Sequence, residues 1–457
     1  MNTGGASAGV VAAIVFCLSL PSRAGERGLQ FPPGRLMTAS GKLASADAFY
    51  EAESCASCHD AQGREWKGSL HNRAHQDSIY KAFADLARTE GGASLYVFCS
   101  SCHAPLAVVT GEIPNRTEGR HTFLTNEGVT CDACHSAQGL AGGPAGVGAN
   151  GSLVLNASAV RYGPLPNPAT NDAHASVVSP FHARAEFCSA CHTLTHPQNG
   201  LVIENTYAEW LQGPYAKAGL QCQDCHMRTV DQAQQVAVTM KPFTQSGRAC
   251  DDGPQRPDIH AHLFIGANVN QALNGSDPLH AGEALKRLQS AARIKVHLPS
   301  VVKFGAPVRI QVDVRNIGAG HSIPSSITEL RQVWIDLKIT DRLGVEVFRS
   351  GAVRDDGSVD PGAVMFHTVL ADEKGQVTYK PWRATKMLAE KLIPPQTTVS
   401  ETYKVNLSIS ARGPLTVRAT LCYRAAPQEV LNQLFGPGKF ALRVIEMTTT
   451  EAVLRID

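Results

Sequence analysis

Five copies of the pattern Cys-x-x-Cys-His occur between residues 55 and 226 of this 457-residue chain. Random placement of its 13 Cys and 17 His would give only about 0.01 such patterns. Two thiols with this spacing can form thioethers with the vinyl groups of one porphyrin, and the histidine that follows can bind its iron. Zinc sites and thioredoxin-like pairs also use Cys-x-x-Cys, but neither needs a histidine after every pair.

The sequence therefore predicts five c-type haems as iron cofactors. The predicted attachment residues are Cys55, Cys58, Cys99, Cys102, Cys131, Cys134, Cys188, Cys191, Cys222 and Cys225, and the predicted proximal iron ligands are His59, His103, His135, His192 and His226.

Each iron has a second axial position, and twelve histidines remain to fill five such positions. If histidine fills all five, the haems only carry electrons, whereas an open position would let a substrate bind iron. His71 is a candidate because it follows the first motif closely, and His321 because it lies in a glycine-flanked loop, 318–324. The predicted distal ligands are His71, His174, His182, His262 and His321, with His75, His121 and His196 in reserve. His297 and His367 lie on strand-like segments and are expected to be structural.

Three cysteines lie outside the motifs. Cys17 belongs to the N-terminal apolar run. Cys250 and Cys422 could form a disulfide in an oxidising compartment, linking the haem region to the C-terminal region. Two separate buried thiols are the alternative.

The N-terminus has the features of an export signal. Residues 10–20 form an apolar run of signal-peptide length, and Ser22-Arg23-Ala24 is similar to a small-x-small cleavage site. The run is too short to span a bilayer, and no later segment is typical of a transmembrane helix. We expect a signal peptide at 1–24, no transmembrane segment in the mature chain, and location in the periplasm or at the cell surface of a bacterium. A net charge of +2 without a basic block argues against a nucleic-acid partner.

The composition and the pattern of apolar residues change near residue 290, which predicts an α+β protein. Residues 25–228 are rich in Cys, His, Gly and Ala, as expected where porphyrins fill the interior, and predict a mostly helical or irregular pentahaem domain. Within it, the Gly-, Pro- and Asn-rich stretch 139–171 is expected to lie on the surface. Residues 229–293 predict a connector, with a helix over 278–292, that packs on the haem domain. Alternating apolar residues over 294–457 predict about seven strands of an immunoglobulin-like β-sandwich.

Several motifs resemble those of known multihaem cytochromes c. The segments Gly128–His135, Glu186–His192 and Thr206–Met227 are similar to the group that includes hydroxylamine oxidoreductase and pentahaem nitrite reductase. The resemblance covers roughly residues 50–228, and the segment Asn316–Trp334 also resembles a β-domain appended to some of these cytochromes. It implies closely packed haems that exchange electrons.

The differences from these enzymes bear on function. The catalytic haem of nitrite reductase typically carries Cys-x-x-Cys-Lys, which is absent from this sequence. Hydroxylamine oxidoreductase has more haems and a tyrosine cross-link to its active haem. We therefore expect an electron-transfer protein whose partners are other cytochromes or a membrane quinol oxidoreductase. The alternative is a haem-dependent oxidoreductase that acts on a small nitrogen or sulfur species at one open-coordinate haem.

Overall fold

A computed structural model of the chain describes Met1 and residues 34–115, 123–143, 148–169, 171–269, 277–300, 302–303, 305, 307–408 and 410–456. The predicted signal peptide, apart from Met1, lies outside these residues. Among the described residues, no helix is both long and apolar enough to cross a membrane.

The N-terminal half is built from helices. They are α1 (Ala52–Ala56), α2 (Asp60–Lys67), α3 (Ser78–His103), α4 (Pro105–Val109), α5 (Glu112–Asn115), α6 (Phe123–Asn126), α7 (Cys131–His135), α8 (Ala185–Ser189), α9 (Thr206–Gln212), α10 (Pro214–Lys217), α11 (Gln223–His226) and α12 (Val230–Thr239), followed by α13 (Pro278–Ala291) and, in the C-terminal half, α14 (Gln428–Phe435). Short 3-10 helices lie at Ala46–Ala48, Pro180–Ala183, Thr328–Leu330 and Pro381–Arg383. The backbone of α3 leaves helical conformation at Gly92, so this element is two helices joined at a kink.

Short strands connect the helices of this half. They are β1 (Met37–Thr38), β2 (Ala137–Leu140), β3 (Leu153–Leu155), β4 (Val160–Gly163), β5 (Ala175–Val178), β6 (Leu194–Thr195), β7 (Val202–Glu204), β8 (Gly247–Arg248) and β9 (Gln255–Arg256). They pair as a three-stranded sheet in the order β1-β3-β2 and as the two-stranded pairs β4-β5, β6-β7 and β8-β9.

The C-terminal half is a β-domain. Its strands are β10 (Ala292–His297), β11 (Pro307–Asn316), β12 (Gln332–Thr340), β13 (Glu346–Ser350), β14 (Met365–Ala371), β15 (Lys386–Lys391), β16 (Thr398–Asn406), β17 (Leu415–Arg424) and β18 (Ile445–Leu454). One sheet has the order β10-β11-β16, and the other has the order β15-β14-β12-β17-β18 with β13 also paired to β12. Alternate residues of both sheets, such as Val312 and Leu337, belong to one hydrophobic core.

These elements confirm the α+β prediction. The predicted helix over 278–292 is α13, and the predicted strands near 294, 308, 333, 345, 402 and 415 all form. The predicted strand at 442–445 begins instead at Ile445. Strand β15 was missed because nearly all of its side chains are exposed, so it has no apolar alternation.

The stretch 139–171 corrects one expectation. It was predicted to lie on the surface, yet Ala149, Ser152, Leu153 and Leu155 are all buried. Strand β3 pairs with β1 and β2, so this stretch forms part of the wall around the motifs.

Candidate haem-binding site

All five motifs line one cavity. Its volume is about 1920 Å³, well above the roughly 300–1,000 Å³ typical of a pocket for one ligand. Every motif cysteine and proximal histidine lines it, and so do His71, His174, His182, His262 and His321. The sequence motifs and the predicted distal histidines thus meet in one interior space that has room for several groups.

Each motif adopts a helical turn, which for the second motif is the last turn of α3. In the fifth motif, for example, the backbone N–H of Cys225 donates to the carbonyl of Cys222 (3.2 Å), and that of His226 donates to the same carbonyl (2.9 Å). Residues three apart lie on one face of such a turn, so both sulfurs point the same way. The first and fourth motifs repeat the pattern through the carbonyls of Cys55 and Cys188.

The proximal histidines are oriented through their Nδ1 atoms. A backbone carbonyl can only accept, so each ring donates from Nδ1 and leaves Nε2 for the metal. The four carbonyl contacts are His59 to Ala249 (2.5 Å), His103 to Ala74 (2.8 Å), His135 to Tyr162 (2.7 Å) and His226 to Ile265 (2.7 Å). His192 instead contacts the Glu204 carboxylate at 3.4 Å.

Four proximal histidines face a second histidine. Two imidazoles bound to one metal at about 2.0 Å place their ring centroids about 6 Å apart. The observed centroid distances are 6.3 Å for His59 and His174, 6.3 Å for His71 and His192, 6.3 Å for His135 and His262, and 6.2 Å for His226 and His321. The spacing fits a metal ion between each pair.

His182 has a different environment. Its ring lies 5.7 Å from that of His135, but its Nε2 is 3.0 Å from the Cys134 carbonyl. A ring nitrogen that donates to the motif backbone is not directed at the metal, so His262 has the more suitable position opposite His135.

His103 has no histidine opposite it among the described residues. The ring of Tyr80 stacks on that of His103, with centroids 3.8 Å apart and planes inclined by 12°. Of the reserve candidates, His75 contacts the Tyr96 hydroxyl (3.1 Å), and His196 is bonded to the Trp382 carbonyl (3.2 Å). His121 lies outside the described residues.

The thiols reveal the order of the motifs in space. The side chains of Cys55 and Cys131 are neighbours, and so are those of two further pairs, Cys102 with Cys191 and Cys188 with Cys222. Cys134 also lies near Cys191. The motifs therefore form a continuous series, first–third–fourth–fifth, with the second beside the fourth.

Burial lowers the pKa of four of the eight facing histidines, His71, His135, His226 and His262. It lowers the pKa of His71 to about 3, with a further contribution from His192, and it lowers the pKa of His262 and His226 to about 3. A neutral imidazole has the free lone pair that a metal requires. The pKa of His192 shifts in the opposite direction. Although burial acts to lower its pKa, the Glu204 carboxylate raises it to about 9.

The first motif lies closest to solvent. Cys58 is exposed, whereas the other motif cysteines are partly buried. The carbonyl of Cys58 accepts from the backbone of Asp251, so the connector covers one side of this motif.

The two remaining C-terminal cysteines are free thiols. Cys250 lines the cavity near the first motif, whereas Cys422 is buried on β17, where it pairs with Trp334 of β12. They do not form a disulfide in the structure; of the predicted alternative, two separate buried thiols, both are separate but only Cys422 is buried.

Sequence reasoning missed several residues of the site. Tyr80, Glu204 and Arg287 have no motif around them and enter the cavity only through folding. The carbonyls of Ala249 and Ile265 could not have been found, because any residue supplies the same carbonyl.

The fold and the motifs are similar to those of the multihaem cytochromes c, which supports several c-type haems with iron as the cofactors. Residues 54–136, which contain the first three motifs, match the family described as cytochrome c554 and c-prime. The fold is similar to that of a penta-heme cytochrome c552 from Thermochromatium tepidum, with a TM-score of 0.60 and 19% identity over 89% of this chain and 99% of that chain. These findings bear out the predicted resemblance to multihaem cytochromes c.

Other similarities are weaker. The CARDB domain of a Pyrococcus furiosus protein matches 36% of this chain and 87% of its own length, with 10% identity and a TM-score of 0.18, which is too low to support an inference. No curated protein matches the chain.

Proposed function

We propose that this chain is an exported electron-transfer protein that moves electrons through five covalently bound haems. The paired histidines carry the proposal. An iron held by two histidines has no open position for substrate and changes only its oxidation state. The proposed axial pairs are His59 with His174, His192 with His71, His135 with His262, and His226 with His321. His182 would then remain outside the ligand set.

The spatial order of the motifs supports a relay. Because Cys55 neighbours Cys131 and Cys188 neighbours Cys222, haems attached to these motifs would have their edges close together. The exposed Cys58 makes the first haem the natural point of exchange with a redox partner. We propose another cytochrome or a membrane quinol oxidoreductase as that partner, in the periplasm or at the cell surface.

The domain assignment is part of this proposal. We propose a signal peptide at 1–24, a haem domain at 25–228, a connector at 229–293 and an immunoglobulin-like sandwich at 294–457. The shared core of the two C-terminal sheets supports the sandwich. The connector carbonyls of Ala249 and Ile265, bonded to proximal histidines, support its packing on the haem domain.

Intact mass and spin state test this function. The mature holoprotein should exceed its polypeptide mass by five haems, and low-temperature spectra of the oxidised protein should contain signals from four low-spin bis-histidine haems. His174→Ala should convert one low-spin haem to high-spin. His297→Ala is the matched control, because His297 pairs with Asp313 on the β-domain and lies outside the cavity. Unchanged spectra in the His174 variant would contradict the proposed ligand set.

A second function is favoured by one observation. The proximal His103 faces no other described histidine, so its haem is a candidate for an open position where a small nitrogen or sulfur species binds. Reduced wild-type protein should then bind about one carbon monoxide per chain, and His121→Ala should bind the same amount. If only His121→Ala binds carbon monoxide, His121 is the missing ligand and the protein is solely a carrier.

A further inference from the structure

The fourth proximal histidine differs from the others in its partner. Glu204, at the end of β7, is only 6% exposed and places its carboxylate 3.4 Å from His192 Nδ1. Strand β7 pairs with β6, which directly follows the motif, so this hairpin folds the carboxylate back against the histidine. The other four proximal histidines donate to neutral carbonyls. A carboxylate on the outer nitrogen makes an imidazole a stronger electron donor to its metal.

A positive charge, opposite in sign to that of Glu204, lies beside the fifth motif. Arg287 of α13 reaches the cavity, and its Nη2 donates to the carbonyl of Cys225 (3.0 Å). Its Nε is buried and has no hydrogen-bonding partner among the described residues. Glu283, one turn earlier on α13, accepts from Lys286 and from the backbone of Val230, and its charge also acts on Arg287 without a hydrogen bond between them. The guanidinium charge is therefore directed towards the proximal side of the fifth site.

The two charges lie beside neighbouring sites. Cys188 of the fourth motif is in contact with Cys222 of the fifth. A buried negative charge favours the ferric state of the nearer iron, and a buried positive charge favours the ferrous state, because the interior screens both weakly.

We propose that Glu204 and Arg287 set the direction of electron flow between the fourth and fifth haems. Glu204 lowers the reduction potential of the haem held by His192, and Arg287 raises that of the haem held by His226. One electron would then pass from the fourth haem, held by His192, to the fifth, held by His226. The iron of the fourth haem would be oxidised from ferrous to ferric, and that of the fifth would be reduced from ferric to ferrous. The inference depends on the proposed electron-transfer function.

Charge-removing variants of the holoprotein test this inference by redox titration. Glu204→Gln should raise the potential of one haem, and Arg287→Gln should lower that of another. We expect each change to be at least tenfold in the equilibrium constant for reduction, which is about 59 mV for a one-electron couple. Glu204→Asp and Arg287→Lys retain the charges, so the haem potentials in these variants should stay close to those of the wild type.

Two neighbouring charges provide matched controls. Glu186 lies near the fourth motif but pairs with Arg184, and Lys286 adjoins Arg287 but pairs with Asp231. Glu186→Gln and Lys286→Gln should each change the equilibrium constant for reduction of any haem by less than threefold.

The outcomes separate an electrostatic role from a structural one. Three results would each overturn the inference. The first is a shift in the same direction for Glu204→Gln and Arg287→Gln, and the second is a shift no larger than those of the controls. The third is a loss of haem that the charge-retaining variants do not rescue. Intact mass and spin state decide the proposed function independently. A protein with five low-spin haems and unshifted potentials would refute only the roles of these two charges.

Discussion

Glu90 is expected to hold the β-domain against the haem region. Its carboxylate accepts hydrogen bonds from Lys380 Nζ (2.6 Å), Trp382 Nε1 (2.9 Å) and Arg383 Nε (2.9 Å). Glu90 lies near the kink of α3, and the three donors lie between β14 and β15. No other carboxylate among the described residues takes three side-chain donors from the opposite half of the chain.

The cost of removing this carboxylate follows from what each donor loses. Lys380 and Arg383 are 37% and 44% exposed, so water can replace much of their interaction. The indole N–H of Trp382 is buried and would be left without a partner, at a cost of about 1–3 kcal/mol. We expect Glu90→Ala to reduce the free energy of unfolding by about 2–4 kcal/mol, and Glu90→Gln by about 1–2 kcal/mol, because the amide oxygen can still accept one bond.

Urea unfolding, followed by Trp fluorescence and by the Soret band, measures this cost. The Asp60→Asn variant is the control, because Asp60 and Arg64 form an exposed ion pair whose loss should cost less than about 0.5 kcal/mol. If Glu90→Ala were no less stable than this control, the three bonds would not contribute to the interface.

The same carboxylate gives a pH dependence. Burial acts to raise the pKa of Glu90, but the three donors outweigh it and lower the pKa from 4.5 to about 2. Because the folded-state pKa is lowered, this stabilisation is complete above about pH 4.5 and is lost as the pH falls towards 2. The stability difference between wild type and Glu90→Gln should therefore be constant near neutrality and should shrink in acid.

Two further substitutions should disturb the haem region. Gly128→Ala should destabilise the fold by more than about 1 kcal/mol and produce a high-spin haem signal, since Gly128 has φ +59° and an added Cβ would lie 2.5 Å from the carbonyl of His71; an unchanged spectrum would contradict this. Asp132→Asn should cost about 3–5 kcal/mol in urea unfolding, because it leaves the buried Arg161 (2.6 Å from Asp132) without its counter-charge; a loss below 1 kcal/mol would refute that reasoning.

The sequence predicted those motifs and strands whose structure depends on the spacing of residues close together in the chain. The Cys-x-x-Cys-His turns are set by spacing alone, and β11 was visible because alternate side chains along it are buried. Strand β15 was invisible because its side chains lack a buried face. The buried segment around Leu153 was mistaken for surface, since its glycines and prolines resemble a loop even where the fold encloses them.

The pairing of the histidines could not be predicted from the sequence, for a related reason. A proximal histidine is specified by the motif, but its partner is chosen in space. His71 and His174 come from either side of the third motif, and the sequence does not pair them with His192 and His59. His182 was a reasonable candidate from its position before the fourth motif, yet its Nε2 bonds to the Cys134 backbone.

The loop that carries His321 accounts for a ligand from outside the haem region. Asn316 is fully buried and donates to the carbonyls of His321 (2.8 Å) and Ile393 (3.1 Å), which fixes the loop to the β-domain. Gly318 packs so closely on the end of α13 that an added Cβ would lie 2.6 Å from the carbonyl of Ser290. The imidazole is thus presented by a rigid frame rather than by a free loop. Under the proposed ligation, the fifth haem acquires its second histidine only when the β-domain is docked. Since Glu90 helps to hold that docking, weakening it should loosen a haem ligand in the distant fifth site, and this coupling gives the β-domain a direct role in the electron relay.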